Sequence, residues 1–475
     1  MDLMLRNAFL DRIWRNTMFH HRIAAACLWL VLFFTQNLYA YNPYTTRELD
    51  ELEKEFANLI HQSNQVLRNP LAMEYINHLG KRLASQNDIN LPYFFIVKSN
   101  EINAFAGPGG YIAINSQLIL ATENESELAA VMAHEIAHVR LHHLYRMLEH
   151  QKQMRVPMLA SVLASLALGV INPTLGGGAL MASLTGLAQD NINFTRANEK
   201  EADRIGIDML IRSGIDPRGM AGFFKKMQQN SRYYFSDLPP ILRTHPLDDD
   251  RIAEAENRCQ NLKQKIYPND LNYPLFKELI RNLTGQDTKQ LLDYYTVSCQ
   301  KESKQACQYG YALALIKARE YQKAEKKLLP LYNLDTDNFY YALALAETKM
   351  HLNQTSDAWD ILNRLYVNYP ESYAVLLAYA DVLMNTGKAH DAENLLLKAS
   401  RKFKSDLPVC QQLARSQAKA NHKGYAYFTR AQCELIKGNK KQALNQLNIA
   451  KKIDKKDRFL QARIEAKIEE IKESL

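Results

Sequence analysis

The chain has 475 residues, of which 47% are hydrophobic and 23% charged, with a formal net charge of +8 and a mean hydropathy of −0.34. This balance excludes a disordered or fibrous chain and a polytopic membrane protein, and the length exceeds what one hydrophobic core usually serves, so two or three domains are expected. No basic stripe with interleaved aromatics stands out, so nucleic acid is not an expected partner.

Residues 1–40 differ from the rest. Arg6, Arg12, Arg15 and Arg22 precede an uncharged run from Ile23 to Phe34, which closes on Asn37-Leu38-Tyr39-Ala40. A run of 12 residues is too short to cross a bilayer. It predicts a secretory signal peptide over 1–40, with an uncleaved N-terminal anchor as the alternative. Removing its four Arg and two Asp lowers the net charge from +8 to +6. Five cysteines remain, Cys259, Cys299, Cys307, Cys410 and Cys433, so at least one is unpaired in an oxidising compartment. Cys299 and Cys307 are near enough to bridge two helices, but spacing alone does not fix the pairing.

Apolar residues recur at three- and four-residue spacing in Thr46–Leu67 and Met73–Ser85, which predicts helices. Tyr93–Val97 and Gly110–Ile114 alternate like strands, joined through the glycine-rich turn Asn103–Gly109, and are expected to form a hairpin. Glu123–Gln151 reads as one helix opened by Asn124, with Glu127 placed to complete the cap. Met158–Ile171 and Gly176–Ala188 are apolar, broken at Asn172-Pro173, and each too short to span a membrane. They predict a helical hairpin over 158–188 that packs on the protein or touches a bilayer surface. Asn198–Arg212 is a further helix, and the polar stretch from Lys263 to Tyr273 is the expected domain boundary.

The last 200 residues contain a repeat. Ala324, Ala358 and Ala392 are 34 apart, each preceded by an alanine twelve residues earlier (Ala312, Ala346, Ala380) and followed by a leucine four later (Leu328, Leu362, Leu396). Small residues at these places let antiparallel helices approach, as in tetratricopeptide repeats. Ala431, Ala443 and Leu447 continue the pattern half a repeat out of step, so one helix there is expected to serve two neighbours.

The chemistry centres on His134-Glu135-Ile136-Ala137-His138. Histidines four apart on a helix reach one cation, and the intervening Glu135 faces the water that the cation polarises and accepts its proton. The apolar neighbours Leu128, Val131 and Met132 imply a largely buried helix. A third histidine ligand six residues on is excluded, since that position is Leu144. His142, one turn along the same face, could support a ligand, but it and His143 are expected to be exposed. The better third ligand is Glu199. It shares a helical face with Asp203, which can take the free ring N–H of a ligating histidine, whereas Glu201 points elsewhere.

Asn103-Ala104-Phe105-Ala106 with Pro108-Gly109-Gly110, the His134–His138 motif, the E-x-x-A-D of Glu199–Asp203, and Thr244-His245-Pro246 with Arg251-Ile252 resemble the gluzincin family of the CAAX-prenyl endopeptidases and HtpX over roughly residues 45–260. The resemblance implies a mostly α fold. A zincin-like metalloprotease domain, helical with a small β-sheet, would span 41–265, and an α-solenoid of tetratricopeptide repeats 266–475. It implies one Zn2+ per chain held by His134, His138 and Glu199, with Glu135 as catalytic base and Asp203 and Arg251 behind the ligands. His245 would occupy the fourth zinc position and hold the enzyme latent, or swing away and stabilise an oxyanion, with the Pro239-Pro240 loop as hinge. Gly110, Tyr111, Ile112, Ala113 and Ile114 would form an edge to which an extended substrate adds. With its signal peptide and repeats, the chain resembles periplasmic members of that family. Their implied work is to degrade stalled or unfolded outer-membrane proteins and to assist correct ones, docked on the β-barrel assembly machinery through the repeats. A chaperone or adaptor with a mostly inactive metal site is the competing expectation.

Overall fold

The computed structural model describes residues 46–85, 92–150, 189–233, 239–260, 262, 266–268, 270–301 and 304–473. The expected signal peptide and the 158–188 hairpin lie outside these residues. Among the described residues, no helix is long and apolar enough to cross a membrane. Asp50–Leu475 forms one compact unit, separate from the residues before it. Of those earlier residues only the opening of helix α1 (Thr46–Gln62) is described; all the other described elements belong to the compact unit.

After α2 (Pro70–Ser85) come three short strands, β1 (Tyr93–Val97), β2 (Ala104–Ala106) and β3 (Tyr111–Asn115), in the order β1-β3-β2. β1 runs parallel to β3, with Tyr93 opposite Tyr111, and β2 runs antiparallel to it, with Ala104 opposite Ile114. The two alternating stretches are therefore not the arms of one hairpin. Ala104–Ala106, too short to read as a strand, is the true partner of β3 across the turn Pro108–Gly110, where Gly109 and Gly110 take φ of 72° and 75°. Left-handed backbone of this kind favours glycine because it has no Cβ to clash.

This order corrects the expectation that Gly110, Tyr111, Ile112, Ala113 and Ile114 offer an edge to substrate. Both sides of β3 are already paired, and the terminal strand is β2. Gly107 N–H donates to Tyr111 O at 2.7 Å and Asn115 N–H to Asn103 O at 3.0 Å. By the alternation of an antiparallel ladder, the backbone groups of Ala104 and Ala106 then face outward.

α3 (Ser116–Ala121) leads into α4 (Glu125–Arg140), which carries the histidine pair. Asn124 caps α4 as expected, its Oδ1 accepting the Glu127 N–H at 3.0 Å. From Leu128 to Ala137 no residue is more than 5% exposed. A helix with apolar residues on all sides belongs in the interior. α2, α6 (Gln189–Arg212) and α7 (Arg218–Tyr233) pack around it. The helix does not run on to Gln151. It stops at Arg140, His142 turns through φ 53°, and a separate α5 (His143–His150) begins. α8 (Pro240–Thr244) and α9 (Asp249–Gln260) complete this part.

From Tyr273 onward the described chain is all helical. α10 (Tyr273–Thr284) and α11 (Thr288–Lys301) precede the paired helices α12 (Gln305–Lys317) and α13 (Tyr321–Leu334), α14 (Phe339–His351) and α15 (Thr355–Asn368), and α16 (Tyr373–Asn385) and α17 (Ala389–Lys402). α18 (Leu407–Lys419), α19 (Lys423–Ile436), α20 (Lys440–Ile453) and α21 (Arg458–Glu473) follow. Left-handed residues mark the turns at Arg319, Asn353, Gly387, Asn421 and Gly438, in step with the 34-residue repeat and then with half of it. Ala312, Ala324, Ala346, Ala358, Ala380 and Ala392 are all buried. α19 packs on both α18 and α20, the sharing expected from the half-step. Cys299–Cys307 and Cys410–Cys433 form disulfides, leaving Cys259 buried and free.

Of the expected boundary, residues 266–268 and 270–272 are described and are not helical, and one hydrophobic core includes residues from both sides of it, from Ile76 and Phe94 through Phe276 to Leu345 and Val375. Tyr75 stacks on Phe276 with ring centroids 4.3 Å apart. Glu74 of α2 caps α16, accepting from Ser372 Oγ at 2.9 Å and Ala374 N–H at 2.8 Å.

Candidate metal centre

α4 and α6 meet at the histidine motif because Gly206 permits it. A Cβ there would lie 3.3 Å from His134 N and 3.0 Å from Met220 Cε. This close crossing sets Glu199 and Asp203, one turn apart on α6, against His134 and His138. His245, the C-cap of α8, enters from the other side. That short helix is tied to the strand region by Ile241 N–H, which donates to Ile102 O at 3.2 Å.

His134, His138, Glu199 and His245 each turn a donor atom toward a common centre. His134 Nε2 lies 2.9 Å from His138 Nε2, 3.3 Å from Glu199 Oε2 and 3.3 Å from His245 Nδ1. Glu199 Oε1 lies 3.4 Å from His138 Nε2 and 3.1 Å from His245 Nδ1. Ligands at about 2.0–2.1 Å from a tetrahedral cation stand about 3.3 Å from one another. The separations observed fit that spacing, and three imidazoles with one carboxylate suit a borderline divalent ion.

Beside this group Glu135 is 1% exposed, and its Oε1 has no hydrogen-bond donor among the described residues, with His245 Nε2 at 3.4 Å as a charged neighbour. A buried carboxylate oxygen left in this state is ready to accept a proton donor from a bound water or substrate. An apolar pocket of about 30 Å³ opens next to it, walled by Val131, Met220, Phe223, Met227 and Leu242.

Two chains of polar contacts support the donors. His134 Nδ1 lies 2.9 Å from Asp203 Oδ1, and the Asp203 carboxylate accepts from Arg251 Nε at 2.7 Å and Nη2 at 2.8 Å. Arg251 Nη1 also reaches Glu199 Oε2 at 3.0 Å and Pro246 O at 2.6 Å. Arg251 therefore holds both acids and the segment that carries His245. The second chain runs through His143. His143 is buried, its Nδ1 2.9 Å from His138 Nδ1 and its Nε2 3.3 Å from Glu201 Oε2. The expectation of exposure holds for His142 and fails for His143, because the left-handed turn at His142 swings the next side chain inward. Glu201 does more than face solvent, since it also accepts from Arg146 Nη1 at 3.2 Å.

Burial opposes charge on His134, but Asp203 and Glu199 reverse the effect and hold its imidazolium up to about 10. His138 is pushed well below its ordinary value by burial, and its positively charged neighbours add to this. Burial would raise Glu199, yet His245, His134 and His138 around it keep its carboxyl well below the usual range. Asp203 is likewise lowered against burial by His134 and Arg251. The site thus balances two ionised acids against cationic side chains, and a divalent ion can replace the protons held on the imidazoles.

The family model described as "Peptidase family M48" matches residues 70–259. Over 420 residues the chain is 34% identical to the beta-barrel assembly-enhancing protease of Escherichia coli (strain K12), which covers 86% of this chain and 85% of that one. It is 33% identical over 422 residues to the putative beta-barrel assembly-enhancing protease of Vibrio cholerae serotype O1, covering 88% and 87%. A shorter match, 30% over 196 residues, joins 40% of the chain to 67% of the metalloprotease LoiP of Escherichia coli (strain K12).

Proposed function

This chain belongs to peptidase family M48 and is a metalloendopeptidase, and from that premise we propose that it is a zinc-dependent periplasmic enzyme that degrades misassembled outer-membrane β-barrel proteins and assists their assembly. The observation that carries the reading is the gathering of four donor atoms beside a Glu135 oxygen with no hydrogen-bond donor among the described residues. Similarity over most of both chains to proteases named for β-barrel assembly supports the substrate class and the compartment.

His134, His138 and Glu199 would hold the ion. Once bound, it supplies Lewis acidity to the scissile carbonyl and to water. Glu135 takes the proton of the attacking water on its free oxygen and returns it to the leaving amine. Asp203, fixed by Arg251, keeps the His134 ring turned with Nε2 toward the centre, and His143 does the same for His138. An extended, unfolded segment pairs with the outer edge of β2, which places its backbone without demanding a particular sequence. His245 is the latch. Seated among the donors, it fills the position that substrate and water need, and it has to move before cleavage. The peptidase region spans 41–265, and the repeats over 266–475 dock on clients or on the assembly machinery.

The same His245 position supports the alternative of a chaperone or adaptor whose metal site is mostly silent. An unfolded outer-membrane protein and its folded form, each incubated with the purified chain and with Glu135→Gln, separate the readings. The proposal expects cleavage of the unfolded form alone, and only by the chain that keeps Glu135. Equal cleavage by both chains, or loss of the folded form at the same rate, contradicts it.

A further inference from the structure

The repeat region gathers a second set of metal-binding side chains, independent of the peptidase reading. His390 and Glu393 stand three residues apart on α17 and so share a face. His422 comes from the turn that opens α19. Its Nδ1 lies 2.7 Å from Glu393 Oε2, the His390 and His422 ring centroids are 5.1 Å apart, and one donor atom from each of the three residues falls within 4.8 Å of the other two.

This placement is built into the backbone. Asn421 adopts φ 66°, the His422 N–H donates to Gln417 O at 2.8 Å, and the Ala426 N–H donates to His422 O at 3.0 Å, so the imidazole is held over α17. Glu393 is only 7% exposed, and its described polar partner is His422. A buried carboxylate needs positive charge nearby, and a bound cation would supply it. Both histidines are exposed, so an ion has an open approach and water can complete its shell. Two imidazoles and one carboxylate suit Zn2+ and its first-row neighbours better than Mg2+ or Ca2+.

We propose that His390, Glu393 and His422 form a second divalent-metal site, which ties α17 to the turn between α18 and α19. The test is a titration of the chelator-stripped full chain with Zn2+, with a chromophoric chelator as competitor. Two ions per chain are expected, the second weaker. His390→Ala together with His422→Asn should reduce the count to one, and Glu199→Gln should weaken the other site and leave this one unchanged. His422→Asn keeps a residue suited to opening a helix, and His390→Ala alone alters an exposed side chain. That single change should weaken the second site at least about tenfold, a loss already seen when only a ligand's supporting partner is removed. A wild-type chain that binds one ion, or a double variant that still binds two, overturns the proposal.

Discussion

Asp203 joins two demands in one carboxylate, orienting the His134 ring and neutralising Arg251, which is 3% exposed. Asp203→Asn keeps the shape and removes the charge. Metal affinity should fall about 10- to 100-fold, read as ion retained against a competing chelator. Arg251 keeps Glu199 and the Pro246 carbonyl but loses its bidentate acid, which should lower stability by about 1.5–3 kcal/mol, measured by urea unfolding. Glu125, in the first turn of α4, makes a separate prediction. Burial and a hydrogen bond shared with Asp270 raise its carboxyl from 4.5 to about 7. A raised acid favours the fold while protonated, so its contribution is complete below about pH 4.5 and is lost as pH rises through about 7. Glu125→Gln should therefore gain on wild type by on the order of 2 kcal/mol between pH 5 and 8, in a comparison of urea midpoints. Helical spacing could place His134 with His138, and Glu199 with Asp203, on shared faces, and Glu135 could be read from its place within the histidine motif. His143 could not be read this way, since an unbroken helix would have turned His142 toward the site, and nothing in the local sequence announces the left-handed residue between them.

The elements divide in the same way. The 34-residue period was written in small residues that must be buried for helices to touch, and the shared helix α19 could be read from the half-step at Ala431 and Ala443. The sheet was legible only in part. Strand-forming stretches show in the sequence, but pairing depends on the distant chain, and a three-residue strand such as β2 leaves too short an alternation to find. The terminal position of β2 carries a functional consequence. Ala106→Pro removes an outward N–H while leaving the ladder to β3 in place, a substitution that edge strands tolerate. Losing one backbone hydrogen bond to substrate, worth about 1 kcal/mol, should raise KM for an unfolded protein about fivefold with kcat and metal content unchanged. An unchanged KM in steady-state kinetics counts against β2 as the edge that receives substrate.

At the scale of the molecule, peptidase and repeats share one core, and the Glu74 cap on α16 fixes the repeats to the α2 side of the peptidase. Sequence spacing separated the two regions but could not show this union, because the contacts join residues some 300 positions apart. The proposed latch makes this a metallopeptidase restrained by its own histidine. The measurement that tests it most directly is the cleavage rate of one unfolded outer-membrane protein by wild type, Glu135→Gln and His245→Ala, with metal content determined on each preparation. All three are expected to hold an ion at the peptidase centre, with Glu135→Gln silent and His245→Ala cutting faster than wild type. Three metal-loaded preparations that all fail to cut, or a His245→Ala chain no faster than wild type, contradict the proposal.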